Sequence, residues 1–166
     1  SVMRKQQRQI LEWYDHMKQI VPNWYRRPVT LRPVMESDRD MYINLLRNEI
    51  VGRTYMVPDG MNNEMAQRLF VRLLDVSSDE NRYARIVCAD GIPIGVVHDV
   101  GIKGASVELG WAVLPTYHNK GYCTLAVKLA MEELCQLGYA EGTAGAFEDN
   151  TPSLRVMQKN GMSGNG

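Results

Sequence analysis

The sequence predicts an α+β fold with a mixed central sheet, in which an antiparallel meander is followed by a parallel crossover. Asp90 and Gly91 separate two apolar runs, and an Asp-Gly pair in that position is a strong signal for a two-residue hairpin. Beyond Gly121 the apolar residues recur at helical spacings, and Gly138 then ends that stretch before a further strand-like run. A helix between two strands at the end of a meander favours a parallel crossover with helices flanking the sheet.

The first segment of the chain is predicted to form an extra amphipathic helix over residues 4–20. Ile10, Tyr14 and Met17 lie on one side of that helix, with charged residues between them. We expect the apolar side to pack on the main domain or on a second subunit, because the mixed signs of the polar face disfavour a membrane surface. The chain is therefore divided into residues 1–27, the helix and its connector, and residues 28–166, the main domain.

The main domain contains further helix and strand signals. Ser37 or Asp38 is expected to cap a helix that runs toward Arg47, and residues 63–76 carry apolar side chains at helical spacing. Strand-like runs cover residues 29–34, 82–89, 92–102, 106–114 and 139–147. Together these signals predict a sheet of about six strands.

The composition is that of an ordinary globular protein. The 166 residues are 45% hydrophobic and 23% charged, and the 19 basic and 19 acidic side chains leave no net basic field for a nucleic acid. Three cysteines and three histidines show no metal-ligand spacing, so we predict free thiols, a reducing compartment and no metal site. No apolar run has the length of a membrane span, and we predict a cytoplasmic protein without a membrane partner.

Residues 107–124 are the most informative stretch and are predicted to form a strand, a tight loop and the start of a helix. Pro115 ends the strand, because proline donates no ladder hydrogen bond. The loop leads into the first turn of the helix, where backbone N–H groups have no intrahelical partner and the helix dipole is positive. A phosphate group is the expected ligand at that position.

The loop sequence His-Asn-Lys-Gly-Tyr-Cys resembles motif A of the GCN5-related N-acetyltransferases (GNAT), and within that family its sequence is most similar to the RimJ/RimL type. In that family the loop reads Arg/Gln-x-x-Gly-x-Gly/Ala and binds the pyrophosphate of acetyl-CoA, so His118 and Cys123 depart from the pattern. In members of that family, the pantetheine part of acetyl-CoA binds along the strand that precedes the loop, as an additional strand would. The resemblance implies an acetyl-CoA site formed by Trp111, Ala112, Val113, His118, Asn119, Lys120, Gly121, Tyr122, Cys123, Thr124, Asn150 and Ser153.

Residues 150–162 resemble motif B of the same family, an Asn-x-x-Ser/Ala sequence followed by a short helix. Asn150 or Thr151 is a suitable N-cap, and Gly161 suits the left-handed position after a helix. Relatives continue for two more strands, whereas only residues 162–166 follow Gly161, so the C-terminus is expected to be shortened. Either the chain is truncated or a partner supplies the missing edge, which would give a strand-exchanged homodimer.

Acyl transfer to an amine requires a base, because an ammonium group has no free lone pair. Glu108 is our predicted base, since it alternates to the same face as the small residues Gly110 and Ala112. Desolvation inside an apolar strand would make a carboxylate more basic, although Glu108 could instead face solvent or pair with a cation. The backbone N–H of Val113 is the predicted donor to the carbonyl oxygen. Many relatives carry a tyrosine at the position of Met157, where it can donate a proton as the general acid. Methionine cannot donate a proton, so the general acid is left unassigned.

The resemblance implies an acetyl-CoA-dependent N-acetyltransferase, in which an amine attacks the thioester directly. The acceptor is expected to be a protein N-terminal α-amine or a small-molecule amine. The alternative is a non-catalytic acyl-CoA-binding module that acts as a sensor or scaffold, which His118, Cys123 and Met157 favour. A cysteine-nucleophile hydrolase that uses Cys123 or Cys135 is a further alternative. A helix N-terminus can activate the thiol of Cys123, but structural thiols are the preferred interpretation for both residues.

Overall fold

A computed structural model describes residues 8, 12, 28–54, 57–58 and 60–144. Its sheet has five strands in the order β1-β2-β3-β4-β5. The strands are β1 Val29–Arg32, β2 Ala84–Ala89, β3 Ile92–Lys103, β4 Ser106–Val113 and β5 Glu141–Ala144. The first four strands pair antiparallel in sequence, and β5 pairs parallel with β4. The predicted α+β architecture is therefore confirmed.

The helices of the described residues flank this sheet. They are α1 Arg39–Arg47, α2 Glu49–Thr54, α3 Asn63–Ser78 and α4 Tyr122–Gln136, with short 3-10 helices at Glu36–Asp38 and Pro115–Tyr117. Helix α4 is the crossover between β4 and β5, and Gly138 adopts a φ of 97° just beyond its end, as a C-terminal glycine does. No helix in the described ranges is long and apolar enough to cross a membrane.

The predicted two-residue hairpin between β2 and β3 is present. Asp90 has a φ of 51° and Gly91 a φ of 77°, so both residues lie in the left-handed region that a type I′ turn requires. Of the predicted N-terminal helix only Arg8 and Glu12 are described, and both are helical and exposed.

Both faces of the sheet are covered by apolar side chains. Leu109, Trp111 and Val113 of β4 belong to the cluster under α4. Ala112 belongs to a second cluster, on the opposite face, that includes Phe70 of α3 together with side chains of α1. The alternation of β4 therefore places its larger side chains on one layer and its small ones toward the other.

Asp38, one of the two candidates that the sequence offered, is the N-cap residue of α1, but its side chain does not cap that helix. The carboxylate makes no capping hydrogen bond to the helix. Instead it accepts two hydrogen bonds from the Arg32 guanidinium, at 2.7 and 2.8 Å, and one from the Met35 backbone N–H at 2.8 Å. Asp38 is fully buried, and its hydrogen bond raises the pKa of Arg32. The bidentate pair thereby connects β1 to the start of the helical layer.

Strand β3 contains a close backbone contact that only glycine permits. A Cβ atom built on Gly95 would lie 2.2 Å from the backbone oxygen of Ala112 on β4. The pairing of β2 with β3 shifts register between Val87 and Cys88, and that of β3 with β4 shifts between Asp99 and Gly101. The two bulges bend β3 on either side of its contact with β4.

The variant Gly95→Ala is expected to lower the free energy of unfolding by about 2 kcal/mol or more, because the added methyl group meets backbone atoms that have no room to move. Gly101→Ala is the matched control, since a Cβ atom there meets nothing within 4 Å. Urea unfolding of both variants measures the difference. Equal midpoints for the two variants would contradict the close approach.

Candidate active site

Strand β4 extends beyond its described pairing with β5. The last pair between the two strands in the described part of the chain is Leu109 with Ala144, and β4 continues to Val113. The N–H group of Leu114 donates to the carbonyl of Ile94 at 2.8 Å, so Ala112 and Leu114 direct their backbone groups toward β3. By alternation, the backbone groups of Trp111 and Val113 face the β5 side.

The side chains of the same residues are used for packing. Trp111 is 4% exposed and Val113 1% exposed in the cluster under α4, and Ala112 is 7% exposed on the opposite face. Any contact that these residues make to a ligand therefore comes from the backbone. The strand-like interaction with pantetheine that the resemblance implies for this segment would use these backbone groups.

The loop between β4 and α4 turns sharply through two left-handed residues. Asn119 has a φ of 59° and Gly121 a φ of 86°. Asparagine and glycine both tolerate that conformation. Asn119 and Lys120 are exposed, and the rings of Tyr117 and Tyr122 contact edge to face on either side of the turn, with centroids 5.3 Å apart. The loop therefore leads directly into the first turn of α4.

The first turn of α4 has the properties of an anion site. Its N-cap residue, Gly121, supplies no side-chain capping hydrogen bond, and the first intrahelical bond runs from the Leu125 N–H to the Gly121 carbonyl at 3.1 Å. The preceding N–H groups, at residues 122–124, belong to the first turn of the helix and point toward its N-terminal end. The positive end of the helix dipole is at the same position, beside the exposed Lys120.

His118 forms a contact that the motif did not predict. Its Nε2 atom lies 2.8 Å from the backbone oxygen of Val113. Because a carbonyl oxygen can only accept, Nε2 must carry the proton and donate. The imidazole thereby connects the start of the loop to the end of β4. No local sequence pattern marks this bond, since it depends on the turn made by Pro115–Tyr117.

Cys123 is half-buried against the apolar cluster under α4. Burial raises the pKa of its thiol to about 12, so the thiol stays protonated at neutral pH in spite of the helix N-terminus. This argues against the cysteine nucleophile. The side chain of Thr124 is 3% exposed, so its backbone N–H is the group directed to the N-terminal end of the helix.

Glu108 lies near the middle of β4, where it pairs with Gly101 of β3 and Thr143 of β5. Its side chain shares a face with Gly110 and Ala112 by strand alternation, as predicted. The side chain is exposed, so the expected desolvation is not present in this structure. An amine in solution can reach the carboxylate directly.

His98 is a half-buried residue of this region that the sequence did not single out. It lies opposite Gly110 in the β3–β4 register, and its Cε1 atom is 3.4 Å from where a Cβ atom of Gly110 would be. Its Nδ1 atom lies 2.9 Å from the backbone oxygen of Asp99. The pairing of His98 with Gly110 can be predicted from the sequence only if the register of β3 and β4 is known.

Motif B, with Asn150 and Ser153, lies outside the described residues. The acetyltransferase (GNAT) domain family matches residues 29–163, a range that contains the sheet, the loop and α4. The chain belongs to the GNAT acetyltransferase family. None of the curated proteins matches the chain.

Solved structures of other GNAT proteins have a similar fold. A GNAT-family acetyltransferase from Bacillus anthracis is 23% identical with a TM-score of 0.68, covering 82% of this chain and 80% of that one. The microcin C7 self-immunity acetyltransferase MccE, solved with acetyl-CoA and AMP, is 18% identical with a TM-score of 0.69, covering 80% and 77%. The ribosomal L7/L12 α-N-protein acetyltransferase RimL, solved with coenzyme A, is 14% identical with a TM-score of 0.68, covering 80% and 78%. At these identities the likeness shows the fold.

Replacing His118 tests its bond to the Val113 carbonyl. His118→Leu removes the donor and is expected to lower the free energy of unfolding by about 1 kcal/mol. His118→Gln is the matched control, because its amide can donate to the same carbonyl oxygen. Chemical denaturation of both variants measures the effect, and an equal loss in the two would show that the hydrogen bond does not stabilise the loop.

Alkylation tests the protonation state of Cys123. In the folded protein at neutral pH, iodoacetamide is expected to modify Cys123 far more slowly than in urea, because its raised pKa and partial burial leave little exposed thiolate. Peptide mass spectrometry over time gives the rate at each cysteine. Rapid modification of Cys123 in the folded protein would show an activated thiol.

Proposed function

We propose that the protein is an acetyl-CoA-dependent N-acetyltransferase that transfers an acetyl group to a primary amine. The observation that carries the proposal is the first turn of α4, whose N-cap residue is a glycine without a side chain, beside the end of β4, where the backbone groups of Trp111 and Val113 face away from β3. MccE and RimL, which have similar folds, were solved with acetyl-CoA or coenzyme A. Membership of the acetyltransferase family supports the same donor.

The described residues fit the two ends of this donor. The first-turn N–H groups of α4, together with Lys120, suit a diphosphate, because they combine backbone donors with positive charge. The backbone of residues 111–113 suits the amides of pantetheine, which would extend the sheet by one strand. Asn150 and Ser153 are assigned to the same site by motif resemblance alone.

The thioester supplies an activated acetyl group, and the chain supplies the groups around it. The Val113 N–H, which faces the β5 side, donates to the carbonyl oxygen as negative charge develops there. Glu108 takes the proton that the ammonium must lose, directly or through a water molecule. Burial raises the pKa of the Cys123 thiol, which disfavours it as a nucleophile, and in the proposed mechanism the amine attacks the thioester directly.

The acceptor is a primary amine, either a protein α-amine or a small molecule. The exposed carboxylate of Glu108 attracts a cation to the face that carries Gly110 and Ala112. The second candidate function is a non-catalytic acyl-CoA-binding module. The His118 bond favours it, because the imidazole occupies the Val113 carbonyl that a pantetheine amide would otherwise use.

Calorimetric titration with acetyl-CoA tests donor binding, with NAD and ATP as controls. We expect selective binding in the micromolar range, which corresponds to about −8 kcal/mol. Failure to bind acetyl-CoA would contradict both candidate functions.

Turnover then separates the enzyme from the binding module. With a panel of amines and peptides, Glu108→Gln is expected to lower kcat by about 10²-fold or more, because the variant removes a proton acceptor, while acetyl-CoA affinity is unchanged. Glu141→Gln is the matched control, as Glu141 is an exposed carboxylate on the neighbouring strand β5. Release of coenzyme A measures the rate. Binding without any release by the wild-type protein would favour the module.

A further inference from the structure

We propose that the His118 side chain is a latch on the pantetheine part of the donor site. Its bond to the Val113 carbonyl closes the end of β4, and a donor amide must replace that bond in order to bind there. The inference rests on the proposed function and adds a specificity-determining residue to it. Three observations carry it: the direction of the Val113 carbonyl, the single polar contact of the imidazole, and the fixed backbone between the two residues.

The Val113 carbonyl points away from β3. Val113 lies opposite Gly95 in the register of β3 and β4, and the N–H group of the next residue donates to the Ile94 carbonyl at 2.8 Å. In an antiparallel pair this arrangement turns both backbone groups of Val113 to the other edge of its strand. Among the described residues, the pairing of that edge with β5 ends at Leu109, so β5 does not reach this carbonyl.

His118 supplies the hydrogen bond that β5 does not. Its Nε2 atom lies 2.8 Å from the Val113 oxygen and carries the donated proton. Val113 is 1% exposed, so its carbonyl would be left without a partner in a poorly hydrated position if the imidazole moved away. A ligand can therefore open the latch at low cost only if it brings an N–H donor of its own. Pantetheine has such donors in its two amides, whereas a hydrocarbon chain has none.

The imidazole and a strand-like ligand compete for the same space. An added strand lies about 4.8 Å from its neighbour and places its N–H nitrogen about 2.9 Å from the carbonyl oxygen that it meets. The His118 ring lies within that interval, with Nε2 at 2.8 Å on the same side of β4. The ring must therefore leave before pantetheine can pair with the end of the strand.

Opening the latch requires the rotation of one side chain. The N–H group of Tyr117 donates to the Leu114 carbonyl at 2.9 Å, and that of His118 donates to the Pro115 carbonyl at 3.0 Å. These bonds hold the backbone between strand and loop when the imidazole moves. The His118 side chain is half-buried and forms no further hydrogen bond or ion pair with the residues that the structure describes. A single hydrogen bond thus keeps the latch closed.

The exchange of partners has a thermodynamic consequence. In the closed state the His118 bond stabilises the protein alone, and in the complex a donor amide makes the corresponding bond. The free energy of the His118 bond is therefore subtracted from the affinity for any ligand that contains pantetheine. The first-turn N–H groups of α4, at residues 122–124, take no part in this exchange. Binding of a diphosphate alone is thus independent of the latch.

The variant His118→Leu removes the latch bond. We expect it to bind coenzyme A about fivefold more tightly than wild type in a calorimetric titration, the factor that corresponds to about 1 kcal/mol of hydrogen bonding. Its affinity for ADP, which has a diphosphate but no pantetheine, is expected to be unchanged in an NMR titration. His118→Gln restores a donor, and its affinity for coenzyme A should return toward the wild-type value.

Asn62→Ala is the matched control for a general loss of stability. The Asn62 side chain accepts a hydrogen bond from the Met65 N–H at 2.8 Å as the N-cap of α3, so this variant loses one hydrogen bond in another element. It should bind coenzyme A as wild type does. Urea unfolding gives a readout independent of turnover. In excess coenzyme A the loss of stability in His118→Leu should disappear, because tighter binding offsets it, while that in Asn62→Ala should remain.

An unchanged or weaker affinity of His118→Leu for coenzyme A would overturn the latch and leave the proposed acetyltransferase intact. A parallel loss of ADP affinity would show instead that His118 is a ligand of the diphosphate. Failure of both wild type and His118→Leu to bind coenzyme A would overturn the proposed function and this inference with it.

Discussion

The packing of β4 on both faces is the constraint on which the rest of the site depends. Its larger side chains are enclosed under α4, and Ala112 contacts the opposite cluster. A strand fixed in this way cannot rotate, so the direction of each backbone group is determined by the core. The side chains at the end of the strand are buried in the core, so a ligand there can interact only with the backbone N–H and C=O groups. The exposed part of the strand, at Glu108, offers a carboxylate side chain.

The position of α4 is fixed by polar contacts as well as by apolar ones. The hydroxyl of Tyr83 donates to Glu133 of α4 at 2.7 Å, and the Nε atom of Arg85 lies 2.9 Å from the same carboxylate. The Arg85 guanidinium also lies over the Tyr83 ring, 4.6 Å from its centroid. Burial raises the pKa of Tyr83, so its hydroxyl remains a donor. This cluster connects β2 to the helix whose first turn is the proposed anion site.

Features that depend on neighbouring residues could be predicted from the sequence. The Asp90-Gly91 turn, the ends of α4 and the alternation of β4 follow from local conformational preference and hydrophobic spacing. The remaining features depend on residues distant in the chain or on burial. Asp38 was expected to cap a helix through its side chain, but its buried carboxylate pairs with Arg32 of β1, a contact that the local sequence pattern does not indicate. The approach of His98 to Gly110 depends on strand register, and the raised pKa of Cys123 depends on burial.

The tight turn at Asp90 and Gly91 also bears on the order in which the sheet assembles. A two-residue connection closes a very short loop, so the chain entropy lost in pairing β2 with β3 is small and pairing can occur within microseconds. The next strand is connected equally briefly, by Gly104 and Ala105, whereas β1 pairs with β2 across the whole of the helical segment. We therefore expect the three-stranded meander to form first and β1 to join it only after α1 and α3 are in place. The face of the β3–β4 pair that carries His98, Glu108 and Gly110 would thus form early in folding, before α1 and α3 pack on the sheet.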